Sequence, residues 1–208
     1  MTAVDAGAAG APSAGPVAAE VPAGRPTGWW GMVMFITTEA TLFAALVASY
    51  FYLRFHSTPT WPLGGIKPPE LPLPLVMSAI LLSSSAPMAW ADHGIRRGQV
   101  GRLRLGLAVT FLQGATFLGL QGYEYLTKLK EFTATTNVYG SLFFAITGFH
   151  GMHVMVGLLL ILFVQVRAWL GHFGRGRHLH VQTTAMYWHF VDAVWVVIML
   201  SLYIGPHL

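Results

Sequence analysis

The chain is 208 residues long, 54% hydrophobic and only 10% charged, where a soluble domain carries about 25% charged residues. That balance describes an integral membrane protein. Cysteine is absent, which excludes disulfides, thiolate metal sites, iron–sulfur clusters and cysteine-ligated copper. The net charge of +4 is not a nucleic-acid footprint, because the basic residues fall in short connections between apolar runs and read as topology signals.

Residues 1–28 are rich in Ala, Gly, Pro and Val, with Pro12, Pro16, Pro22 and Pro26 among them. They read as a flexible tail with nothing to bury, and they lack the basic start and continuous apolar core of a signal peptide. The domain that follows, 29–208, is predicted to hold five transmembrane helices over about 29–54, 71–92, 104–126, 138–167 and 183–204.

Trp29 and Trp30 mark one interface of the first span, and Tyr50, Tyr52 and Arg54 the other. Glu39 is the one charge inside it, roughly 15 Å along the axis. The loop after it is rich in Pro and Gly and holds Lys67 and Glu70. The second span is uncharged; Ser83, Ser84 and Ser85 precede Pro87, where a kink is expected, and Gly94 is read as its C-cap. Arg96, Arg97, Arg102 and Arg104 are assigned to the next loop. The third span carries four glycines, Gly106, Gly114, Gly119 and Gly122, that permit close helix approach, and ends at Gln121, Glu124 and Tyr125, with Glu124 expected near the interface. His150 and His153 lie near the middle of the fourth span, and Arg167 closes it. The fifth is an apolar run of roughly 22 residues interrupted by His189 and Asp192, i,i+3 neighbours on one face.

The basic residues set an orientation. Arg25, Arg96, Arg97, Arg102, Arg104, Arg167, Arg175 and Arg177 fall on one side, against Arg54, Lys67, Lys128 and Lys130 on the other, so the N-terminus is expected in the cytoplasm and the C-terminus outside. Glu39, His189 and Asp192 then sit at similar depth, and contact among them is expected as a hypothesis.

A carboxylate facing lipid near mid-membrane costs about 2.5–3.5 kcal/mol or more, so Asp192 and His189 should face protein, a lipid head group or trapped water. The residues favour a hydrogen-bonded pair that fixes packing; the sharper alternative is a proton, metal or cofactor site. His150-x-x-His153, His189-x-x-Asp192, Glu39 and Glu124 supply metal-ligand types, but a carboxylate-bridged bundle site needs Glu-x-x-His twice and has it nowhere here. Bis-histidine haem needs His on facing helices, and outside the fourth span only His189 qualifies. Glu39, with Thr37, Thr38 and Thr41 beside it, fits a proton path or a structural network. Arg167 fits a lipid phosphate or ordinary snorkelling equally. The aromatics are read mostly as lipid-facing bulk and interface anchors.

With these residues laid out, the chain resembles subunit III of haem–copper respiratory oxidases of the cytochrome c oxidase type, in a short five-helix bacterial form. The likeness rests on Gly31-Met32 through Phe35-Ile36 to Thr38-Glu39, on Tyr50-Phe51-Tyr52, on Gln121-Gly122-Tyr123-Glu124-Tyr125, on Gly148-Phe149-His150-Gly151-Met152-His153-Val154, and on Tyr187-Trp188-His189-Phe190-Val191-Asp192. The resemblance implies an all-α membrane bundle lacking two N-terminal helices of the longer members. It implies a non-catalytic subunit of a cytochrome c oxidase in the aerobic chain that reduces oxygen to water. This chain would hold no cofactor and no metal, with haem a and copper in the partner subunits. The partners implied are oxidase subunit I directly, subunit II and the other oxidase subunits, phospholipids held in a cleft, and a respiratory supercomplex where one forms. The location implied is the bacterial inner membrane.

Residue by residue, Glu39 matches the family's carbodiimide-reactive carboxylate, related to proton uptake and the lipid cleft, and Arg167 a head-group contact. Glu124, His150, His153, His189 and Asp192 become a structural intramembrane polar network. The alternatives are subunit III of a quinol oxidase, a nitric-oxide-reductase-associated homologue, or, from another class, a free-standing small transporter; the last often carries inverted repeats, and none is seen.

Overall fold

The computed structural model describes residues 24–57, 61–62, 68–174 and 176–207. The tail over 1–23, Lys67 and Arg175 lie outside the described residues. Five helices are long and apolar enough to cross a membrane: α1, Thr27–His56; α2, Pro72–Arg96; α3, Val100–Lys128; α4, Val138–Trp169; and α5, Leu179–Ile198. The last continues without a break into a π-helical turn, Met199–Ile204, and a 3-10 turn, Gly205–His207. The fold is an all-α membrane bundle, and no strand occurs among the described residues beyond one isolated bridge, Gly174 to Arg177.

Local chemistry sets the helix starts. Pro72 sits in the first turn of α2, where its missing N–H is no loss. Asn137 caps α4, its side chain accepting from the Gly140 amide at 2.8 Å. The helices run past the apolar runs that announce them. Arg102 and Arg104 belong to the first turns of α3, not to a loop, because long basic side chains keep their stems on the bundle and their heads in water. Asp92 and Gly94 do not end α2, which runs on to Arg96. After α2 the left-handed backbone falls on Gly98, at φ 78°; Gly94 is instead a close approach, where a Cβ would meet Arg102 Cβ at 2.7 Å. Pro87 does not interrupt α2.

α5 is the central element. It packs against α1, α2 and α4, while α3 closes the ring between α2 and α4. Its indoles are not lipid-facing bulk: Trp188 and Trp195 are fully buried, unlike Trp30, Trp90 and Trp169, so the reading of the aromatics as lipid-facing bulk and anchors does not extend to this pair. Trp188 lies between helices because Gly114 and Gly157 leave room; a Cβ at Gly114 would stand 2.5 Å from its ring and one at Gly157 2.9 Å. Both indole N–H groups donate to serines of α2, Trp188 to Ser84 and Trp195 to Ser78, each at 2.8 Å. Burying an indole in hydrocarbon demands such a partner. Tyr50, Tyr139, Tyr187 and Tyr203 are among the largest side chains buried with the two indoles.

Candidate functional site

Glu39, Asp192 and Glu124 each belong to a separate polar cluster. The first joins α1 to α4. Glu39 Oε2 lies 3.0 Å from His153 Nε2. His153 Nδ1 lies 2.7 Å from the Phe149 carbonyl, and a carbonyl only accepts, so Nδ1 carries a hydrogen. The Nε2–Oε2 contact therefore shares one further proton: a carboxylic acid donates to a neutral imidazole, or an imidazolium donates to a carboxylate. Phe43 packs edge-on against the His153 ring at 5.0 Å. Tyr187 donates to the His153 carbonyl at 3.2 Å. Glu39 keeps 22% of its side-chain surface exposed. The threonines around it donate back into their own helix, Thr37 to Val33, Thr38 to Phe35 and Thr41 to Thr37, so they do not extend a relay from Glu39.

The second cluster joins α2 to α5. The Ser85 hydroxyl donates to Asp192 Oδ2. Its single hydrogen is thereby used, so His189 Nδ1, 3.2 Å away, is the donor to Ser85 Oγ. His189 and Asp192 approach to 4.0 Å, the histidine 43% exposed and the aspartate 6%. The expected contact of Glu39 with this pair does not form: Glu39 bonds to α4 and Asp192 to α2. Similar depth does not bring them together, because they face different neighbours of the central helix.

The third cluster ties α3 to the C-terminal turn. Glu124 is enclosed by the bundle, 3% exposed, and Tyr203 donates to it at 3.0 Å. Lys128, on the next turn, pairs with Glu131 at 3.1 Å.

His150 stands apart. It is fully buried, with no hydrogen bond to either nitrogen, and its ring is walled by Phe117 at 5.9 Å and Trp195 at 5.2 Å. Arg167 lies at the end of α4, over the Phe163 ring at 5.5 Å and near Phe173 at 5.8 Å. With His172, Arg177 and His180 it lines a hollow of about 290 Å³. No group of three or more metal-ligating residues forms among the described residues.

Sequence reasoning missed four contributors. Ser85 and Tyr203 carry the second and third clusters; nothing in their local pattern marks them, because each is defined by a helix far away in sequence. Gln121, noted only as part of a motif, donates to the Thr147 carbonyl at 2.9 Å. Arg104, read as a topology charge, donates twice to the Ala168 carbonyl, at 3.2 and 2.9 Å, and covers the Trp169 ring at 4.5 Å, pinning α3 to α4.

Fold and clusters together define a multi-pass helical membrane protein whose ionisable groups bind helix to helix. The comparisons narrow the class. The family model described as cytochrome c oxidase subunit III matches residues 20–206. Cytochrome c oxidase subunit 3 of Lumbricus terrestris is 37% identical over 179 residues, covering 84% of this chain and 68% of the relative. That of Triticum aestivum is 39% identical over 183 residues, covering 84% and 67%, and that of Drosophila melanogaster 37% identical over 183 residues, covering 84% and 68%. The chain belongs to the cytochrome c oxidase subunit III family.

Proposed function

We propose that this chain is the non-catalytic subunit III of a bacterial cytochrome c oxidase, seated in the inner membrane with its N-terminus in the cytoplasm and packed directly against subunit I. Haem a and copper belong to the partner subunits. In this reading the chain supports proton uptake and sustained turnover and holds phospholipid.

The observation that carries it is the donor set at the α1–α4 contact. A histidine binds metal through a free lone pair. On His153 one nitrogen is spent on Phe149 and the other on Glu39. His150 is set between Phe117 and Trp195, and among the described residues no group of three or more ligand types gathers around it. These residues therefore suit a helper role, with Glu39 as a proton-holding group at the flank of the bundle. Arg167 is assigned to a phospholipid head group, supported by the cationic hollow it shares with Arg177 and by its place at a helix end.

The test is purification through a tag on this chain in mild detergent, followed by a reduced-minus-oxidised spectrum and partner masses. A haem a signal together with a large polytopic partner is expected. A colourless chain free of partners overturns the reading, and haem b alone redirects it to the quinol-oxidase or nitric-oxide-reductase relatives.

A further inference from the structure

Glycines serve two different purposes in this bundle. At Gly114 and Gly157 a Cβ would strike Trp188, so those positions are small for the chain's own packing. At Gly122 nothing lies within 4 Å of an added Cβ; at Gly148 the nearest atom is the Tyr125 hydroxyl at 3.5 Å, and at Gly151 it is Gln121 Oε1 at 3.4 Å. The folded chain has room for a Cβ at all three, so its own packing does not demand their smallness. They line one outward groove between α3 and α4, about 400 Å³ in volume and flanked by Met152 and Met155, which are 45% and 49% exposed.

Gln121 also lines this groove, and it is 4% exposed. Its Nε2 donates to the Thr147 carbonyl, which fixes the amide orientation, since the reverse would set two oxygens against each other. Its Oε1 is left buried with no partner. In a hydrocarbon medium an unmet acceptor is costly.

From the open glycines and this unmet acceptor we infer that the α3–α4 groove is the docking surface for a transmembrane helix of another oxidase subunit, which brings a hydroxyl or amide donor to Gln121. The inference rests on the proposed role as an oxidase subunit and names the face that role uses. Small residues let a second helix backbone approach closely, and a buried polar contact fixes its register. A lipid chain fits the shape but supplies no donor. A second copy of this chain supplies none either, because an isologous contact presents the same groove to itself. The hydroxyls there are already spent: Thr147 donates to Phe143 at 2.6 Å, so Tyr125, at 2.7 Å, donates to Thr147.

The test uses the whole complex. Gly122→Leu and Gly148→Leu fill the groove from positions with room for a side chain, and Ala86→Leu, on an exposed face of α2 outside the groove, is the control. Haem copurifying with the tagged chain is expected to fall about tenfold in the two glycine variants and to hold in the control. A photo-crosslinking phenylalanine analogue at Met155 reads the occupant without filling the groove. A covalent adduct to a haem-bearing oxidase subunit is expected. An adduct to lipid only, or to a second copy of this chain, overturns the inference while the copurified haem leaves the oxidase reading standing. Absence of haem from the unaltered chain's preparation overturns both.

Discussion

α1 and α5 are both apolar helices long enough to span a bilayer, and each carries one carboxylate. They are held in opposite ways. In its most apolar stretch α1 has 6% of its residues buried within the chain, and the span formed by α5 and its terminal turns, Leu179–His207, has 61%. α5 is fixed by shape: two indoles enclosed by glycines and tied to α2 serines. α1 buries only Phe43 and Tyr50, and its polar tie to the bundle's interior is Glu39 on His153. The comparison teaches that an intramembrane acid has no fixed meaning. Asp192 sits in a helix already enclosed by packing, whereas Glu39 supplies a polar tie to a helix that is otherwise held by a few aromatic contacts such as Phe35 on Tyr187 and Phe43 on Phe190.

The largest expected effect lies on the α5 side. Trp188→Ala empties the centre of the bundle and removes a buried bond, and should cost about 3–5 kcal/mol, measured by SDS titration of the purified protein in micelles. A cost comparable to that of a surface substitution would mean that α5 is not the keystone and would break the contrast.

Next comes the α1 tie. The Glu39–His153 double-mutant cycle should give a coupling of about 0.6–1.7 kcal/mol, the range of interhelical hydrogen bonds in membranes. The Glu39–Asp192 cycle should give none. Glu39→Gln should leave haem a in the purified complex unchanged, as the group is proposed to hold a proton and seat a helix rather than bind a redox centre. Loss of haem a in that variant would refute this.

How much of this was legible in the sequence follows from the same physics. Five spans were legible because hydrocarbon forces backbone bonding within each segment, and apolar length alone reports it. The residues of the clusters were legible as types, since ionisable groups stand out in an apolar run. Their partners were not. Glu39 and His153 are 114 positions apart, and Ser85 and Asp192 are 107; no local period connects them. Helical spacing predicted the His189–Asp192 face correctly but could not show Ser85 inserted between them. The enclosure of Glu124 was not legible, because it depends on Tyr203, which lies in the π-helical turn where the 3.6-residue period no longer applies. The helix ends were blurred because arginines that mark a membrane boundary continue the helix through it.

The smallest effect sharpens the comparison at the membrane surface. Arg104 donates two convergent N–H bonds to the Ala168 carbonyl oxygen and lies over Trp169. It therefore acts as a clasp between α3 and α4 and not only as a topology charge. Arg104→Lys keeps the charge and loses the fork. If charge alone mattered, the substitution would be silent in both topology and stability. With the clasp, topology should be unchanged in a reporter-fusion assay, while stability in micelles should fall by about 0.5–1.5 kcal/mol, the worth of a net intramolecular hydrogen bond. The effect is small because α3 and α4 remain packed through Gln121 and through the close approach of Gly114 to Leu158. A loss as large as that of Trp188→Ala would mean that the bundle is held at its rim, and the division between a helix fixed by shape and a helix fixed by a polar tie would need redrawing.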